Sequence, residues 1–101
     1  MNNIKVTVEL IVRNNQKEEM AFIKEVFLKN KAIVPDKGDS FEVIPGVVTK
    51  VSDRVWDTNS IFMNLSLILD QVVLFTDKQK LGFSPEIQTM LHKGWNVVRE
   101  E

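Results

Sequence analysis

A chain of 101 residues with 44% hydrophobic content is long enough for one compact domain and too short for separate catalytic and regulatory parts, so a single core spanning 1–101 is expected. Thirteen basic residues against fourteen acidic ones give a net charge of -1, which supplies no field to draw the chain onto nucleic acid or an anionic membrane. The absence of cysteine excludes disulfides, thiolate nucleophiles and cysteine-type zinc sites. With no secretion-type apolar leader at the start and no apolar run near the length of a membrane span, the sequence predicts a soluble, cytoplasmic protein.

The first element is a strand over 4–13, "IKVTVELIVR". Ile4, Val6, Val8, Leu10 and Val12 alternate with Lys5, Thr7, Glu9 and Arg13, and only Ile11 is out of place. A strand wetted on one face usually belongs to an antiparallel sheet, which argues against a doubly wound fold.

Residues 14–30, "NNQKEEMAFIKEVFLKN", support two readings. At 100° per residue, Met20, Phe22, Ile23, Val26 and Phe27 share one arc, with Asn14 or Asn15 as a cap, which favours a helix near 16–29. The rival is a hairpin that folds 20–28 back on the first strand across "NNQKEE". The adjacent Lys24 and Glu25, and the run Val26-Phe27-Leu28, break its alternation and tip the balance to the helix.

The stretch "VPDKGDSFEV" at 34–43 lacks the ligand spacing of a calcium loop and the glycines of a phosphate loop. It reads as a turn, with Pro35 fixing its own φ, Asp36 bonding locally and Gly38 in a conformation other residues resist. A strand at 41–44 then meets Pro45-Gly46, which suits a type II turn and a bulged hairpin. The next strand, 47–56, has Val47, Thr49, Val51 and Val55 opposite Lys50, Ser52 and Arg54. After a turn at 57–60, the strand 61–69 carries Ile61, Met63, Leu65, Leu67 and Leu69 on one face, completing a three-strand meander. "VVLF" at 72–75 is a further candidate strand.

A C-terminal helix is expected at 85–93. Ser84 suits the N-cap, Pro85 the first helical position and Glu86 the positive end of the dipole, while His92-Lys93-Gly94 forms the stop. Trp95 is placed to pack back on Met90. The predicted fold is thus α+β: a small antiparallel sheet or partly open barrel with one short C-terminal helix.

Val34-Pro35, Gly38-Asp39 before "SFEV", Val48 to Val51, Trp56-Asp57 and "IFMNLSL" together resemble a pattern in small, largely uncharacterised β-rich proteins of bacteria and their phages, where Pro-x-x-Gly-Asp opens a strand meander. The resemblance covers residues 33–69 and brings no catalytic residues, cofactor or metal.

The inventory for chemistry is thin. His92 is the sole histidine, and Ser84 lies at the other end of the same helix, about 12 Å away by helical rise. Asp53 and Asp57 flank a turn. One cluster stands out as a candidate binding surface: Lys50, Arg54 and Trp56 share a parity and would be exposed together if Val47 and Val51 face the core. Against it, Trp56 can simply cover the edge of the core. Two functions follow: a non-catalytic interaction or structural module that self-associates or binds another protein, or a small β domain binding single-stranded nucleic acid through Lys50, Arg54 and Trp56. No enzyme is expected. The edge offered for self-association would be the first strand or the strand at 61–69.

Overall fold

A computed structural model describes residues 4–29, 34–57, 63–76 and 79–100. Seven strands and one helix follow in the order β1 (Ile4–Asn14), β2 (Glu19–Leu28), β3 (Ser40–Ile44), β4 (Val47–Asp57), β5 (Met63–Leu69), β6 (Val72–Leu74), α1 (Pro85–His92) and β7 (Asn96–Glu100), with a short 3-10 turn (Leu81–Phe83) before α1. They form one curled, half-barrel sheet in the order β3-β4-β5-β1-β2-β7, with β6 added beside β1.

Strand β1 lies in the middle. It pairs antiparallel with β2 along ten positions, from Ile4 opposite Leu28 to Arg13 opposite Glu19. Its other edge pairs in parallel with β5 and then with β6. The sheet is therefore mixed, not purely antiparallel as the wetted face of β1 suggested. The direction is set by the route of the chain: after β2 it crosses to the far edge, lays down β3 and builds inward through β4. Two antiparallel steps from β3 bring β5 to the free edge of β1 in the same direction as β1.

The segment expected to be helical at 16–29 is instead β2, the hairpin partner of β1. Alternation is present but masked. Met20 and Phe22 are buried on the core face, and Ile23 and Phe27 lie on the opposite face, so both faces carry apolar residues. Lys24 falls on the core side because it lies over the Trp95 ring, 5.7 Å from its centroid. The expected helix cap, Asn14, caps the hairpin turn. Its buried carboxamide accepts from the N–H groups of Gln16 and Glu18 and donates to Glu18 Oε1 and Thr76 Oγ1 at 2.9 Å each.

The core sits between the inner face of the sheet and the C-terminal segment. Ile4, Val6, Val8, Leu10 and Val12 meet Leu65, Leu67, Leu69 and Val51 from one side and Met20 and Phe22 from the other, beneath Leu81, Ile87, Met90 and Trp95. Helix α1 begins as its sequence dictates. Ser84 Oγ accepts from the N–H of Ile87 at 3.3 Å, with Pro85 leading the helix and Glu86 in its first turn. It ends in a Schellman arrangement, in which Trp95 N–H donates to Met90 O and Gly94 N–H to Leu91 O, with Gly94 at φ +95°. That turn delivers Trp95 into the core, where its Nε1–H donates to Val43 O at 3.3 Å. No helix of the described residues is long and apolar enough to cross a membrane.

The meander over β3, β4 and β5 stands, and the candidate strand near 72 is β6. β7 was not anticipated, because Val97 and Val98 are both exposed and leave no alternation to read. The expected turn at 57–60 lies outside the described residues beyond Asp57. Among the described residues no pairing joins β3 to β7, so the sheet is open; these two strands end its main run, and β6 adds a further edge beside β1. Neither β1 nor β5 has an edge to offer, which corrects the expectation that one of them would carry self-association.

Thr7 lies within the stretch of β1 that is paired on both sides, opposite Glu25 of β2 and Ser66 of β5. Proline there removes a donor from an interior ladder, where no neighbour can compensate. Thr7→Pro is expected to abolish the cooperative thermal transition seen by far-UV circular dichroism, whereas a folded Thr7→Pro chain altered only in its association state would contradict the central placing of β1.

Candidate functional site

The candidate strip on β4 is divided by a β-bulge. Val51 faces Leu69 but Asp53 faces Ile68, so one residue is inserted at Ser52, and its hydroxyl donates to Ile68 O at 2.9 Å. Parity reverses there. Before the bulge Val47, Thr49 and Val51 point inward and Lys50 outward; after it Arg54 and Trp56 lie opposite the buried Leu67 and Leu65, on the inner face. Lys50 is thus on one face of the sheet and Arg54 with Trp56 on the other.

Arg54 and Trp56 do come together. The guanidinium lies 5.4 Å from the Trp56 ring centroid, donates to Pro35 O at 3.2 Å and pairs with Asp36 at 3.3 Å. Trp56 is half-buried against the core. The arginine is therefore spent in tying β4 to the loop before β3, and its charge is neutralised locally.

That loop is a closed turn. Asp39 N–H donates to Asp36 O at 3.0 Å, Asp36 N–H donates to Asp39 Oδ2 at 2.7 Å, and Lys37 N–H donates to Asp36 Oδ1 at 2.8 Å. Gly38 adopts φ +91° and donates its N–H to Val51 O. Pro35 stands just before the turn, and Asp39 O receives Val51 N–H, so "PDKGD" clamps the middle of β4. The other candidates for chemistry remain apart. Ser84 and His92 stand at opposite ends of α1, and Ser84 Oγ is engaged as the cap. Asp53 and Asp57 are four positions apart on one strand, roughly 13 Å by strand rise, and Asp53 Oδ1 accepts from the adjacent Arg54 N–H. Among the described residues no three histidine, aspartate or glutamate side chains gather as a metal ion would require.

The structure adds a surface that the sequence reading did not single out. Helix α1 covers the inner face of the sheet, and the outer face carries a groove of about 430 Å³. Its apolar lining comes from Ile11, Ala21, Ile23, Ile68 and Val98, with Glu9 and Arg99 at its rim. Ile11, the residue out of step with β1's polar face, is part of this lining, and so is Ile23, which shares the helical arc of Met20 and Phe22 at 100° per residue. Those two anomalies were the available signal: β1, β5 and β7 contribute one apolar residue each and β2 contributes two, on a face that also carries Lys5, Thr7, Glu25 and Asp53.

Comparison of the chain with protein-family models, with curated proteins and with solved structures finds no match.

At Gly38 a Cβ would meet nothing within 4 Å, so the cost of a substitution comes from the positive φ alone. Gly38→Val is expected to lower stability by more than about 1 kcal/mol in urea titration. Added calcium should leave the melting temperature of the wild type unchanged, and a calcium-dependent rise that disappears in Asp36→Asn/Asp39→Asn would contradict the reading of this segment as a turn.

Proposed function

We propose that this chain is a non-catalytic interaction or structural module, of the bacterial or phage kind that its Pro-x-x-Gly-Asp meander resembles, and that it pairs with a second copy of itself through the outer face of its sheet. The observation that carries this reading is the uncovered groove. Ile68 and Ile11 are over a third exposed and Val98 is 63% exposed, clustered on a face that no element of the described residues covers. An apolar patch bounded by charged residues suits a second copy of the same face, with closed two-fold pairing as the commonest arrangement. Arg99 at the rim is held by Glu19 of its own chain, so the apolar residues make the contact.

The alternative, single-stranded nucleic acid binding by Lys50, Arg54 and Trp56, draws less support. A basic and aromatic strip works by presenting its members along one track, and the bulge at Ser52 divides this one between two faces while Asp36 neutralises Arg54. Retention on single-stranded DNA at physiological salt is expected to be negligible. Micromolar binding that weakens in Arg54→Ala would reverse the ranking.

Light scattering across a dilution series tests the self-association. A mass above that of the monomer is expected at tens of micromolar, returning to the monomer in Ile68→Asp with the circular dichroism spectrum unchanged. A strictly monomeric wild type over that range would end the proposal.

A further inference from the structure

A second surface is defined by backbone. Along β1, Ile4 faces Met63 and Glu9 faces Ile68, but Val12 faces Val72, so the chain inserts one extra residue between β5 and β6. This bulge bends β6 away from β4. The two strands are last joined at Asp70, whose N–H donates to Lys50 O and whose carbonyl accepts from Thr49 Oγ1, both at 2.8 Å. Beyond that point they part, and a cleft of about 330 Å³ opens between Val47, Val48 and Thr49 on one side and Val72, Val73 and Leu74 on the other.

Both walls of this fork are strand edges. Among the described residues β6 pairs only with β1, and the backbone of residues 47–49 of β4 pairs only with β3. The direction of the β4 groups follows from their neighbours. Val51 directs its N–H and C=O to Asp39 and Gly38 on the β3 side, and Lys50 directs its carbonyl to Asp70 on the β5 side. By strand alternation Thr49 turns to β3 and Val48 turns into the fork, where no strand of the described residues meets it. The side chains match this placement: Val48 is 59% exposed, Val73 49% and Phe75, just past β6, 85%.

We propose that the fork between β4 and β6 binds an extended segment of a partner protein, which enters as an added strand. Two facing edges of unpaired N–H and C=O groups are complementary to polypeptide backbone, whose donors and acceptors alternate on both sides of an extended chain. β4 and β6 run in opposite directions, so the inserted segment is antiparallel to one and parallel to the other, a combination that β1 already shows with β2 and β5. Its side chains meet half-buried Val47, Thr49, Val72 and Leu74 on the inner side and Val48 and Val73 on the outer side. β-branched apolar residues at successive positions therefore suit it. Gln71 apart, the fork shares no lining residue with the outer groove and is independent of pairing there.

A displayed library of random heptapeptides, selected on the wild-type protein, tests this. Enriched peptides are expected to be apolar and β-branched, and a synthetic copy should bind the wild type and Ile68→Asp alike. Binding should fall about tenfold or more in Val48→Pro, which removes a donor facing the fork and leaves the β3 ladder intact. The same fall is expected for a copy of the peptide N-methylated at alternate residues, a change that leaves the protein untouched. Failure to enrich any peptide, or peptides indifferent to both Val48→Pro and N-methylation, would overturn the proposal. Peptides indifferent to both but lost in Ile68→Asp would overturn the fork and leave the outer groove as the binding surface.

Discussion

The fold depends on the double pairing of β1. Its eleven residues hold β2 along one edge and β5 and β6 along the other, and its five alternate apolar side chains, Ile4 to Val12, form the central row of the core. A strand paired on both sides over most of its length leaves few of its interior backbone groups to water, so the cost of ordering it is offset by two ladders and one buried face together. The remaining pieces attach to that strand. β2 carries β7, β5 carries β4 and β3, and the helix closes the face that β1 offers. Asn14 and Glu18, at the turn where β1 passes into β2, also tie Thr76 and Leu81 to the hairpin, with Leu81 N–H donating to Glu18 Oε1 at 3.2 Å.

Single-residue insertions then shape what this frame presents. The bulge in β4 moves Lys50 away from Arg54 and Trp56, and the bulge between β5 and β6 opens the fork. β3 and β7 each carry one as well, at the edges of the sheet. Each insertion inverts which residues face inward, and each bends its strand, which curls the sheet and closes the inner face over the helix. The outer face and the fork are what the helix does not reach.

Local chemistry made part of this legible from the sequence. The alternation of β1, the Pro45-Gly46 turn, the regular face of β5 and the cap and stop of α1 are each specified by residues within a few positions, and each stands where it was placed. β2 was not legible because its two faces are both partly apolar, one for the core and one for the groove, and because Lys24 sits on the core face over Trp95. The parallel pairing of β1 with β5 joins segments about sixty residues apart and has no local signature. The Lys50, Arg54 and Trp56 strip assumed unbroken alternation, which holds on each side of Ser52 but not across it. The outer groove has no local signature because four strands far apart in the chain contribute only one or two apolar residues each to it.

Residue-resolved hydrogen exchange measures the central arrangement most directly. Amides of β1 from Val6 to Glu9 are expected to exchange slowly without alternation, since one set is held by β2 and the other by β5, while on β4 the amide of Val48 exchanges quickly between protected neighbours. Alternating protection along β1, or a Val48 amide as slow as that of Thr49, would contradict the account.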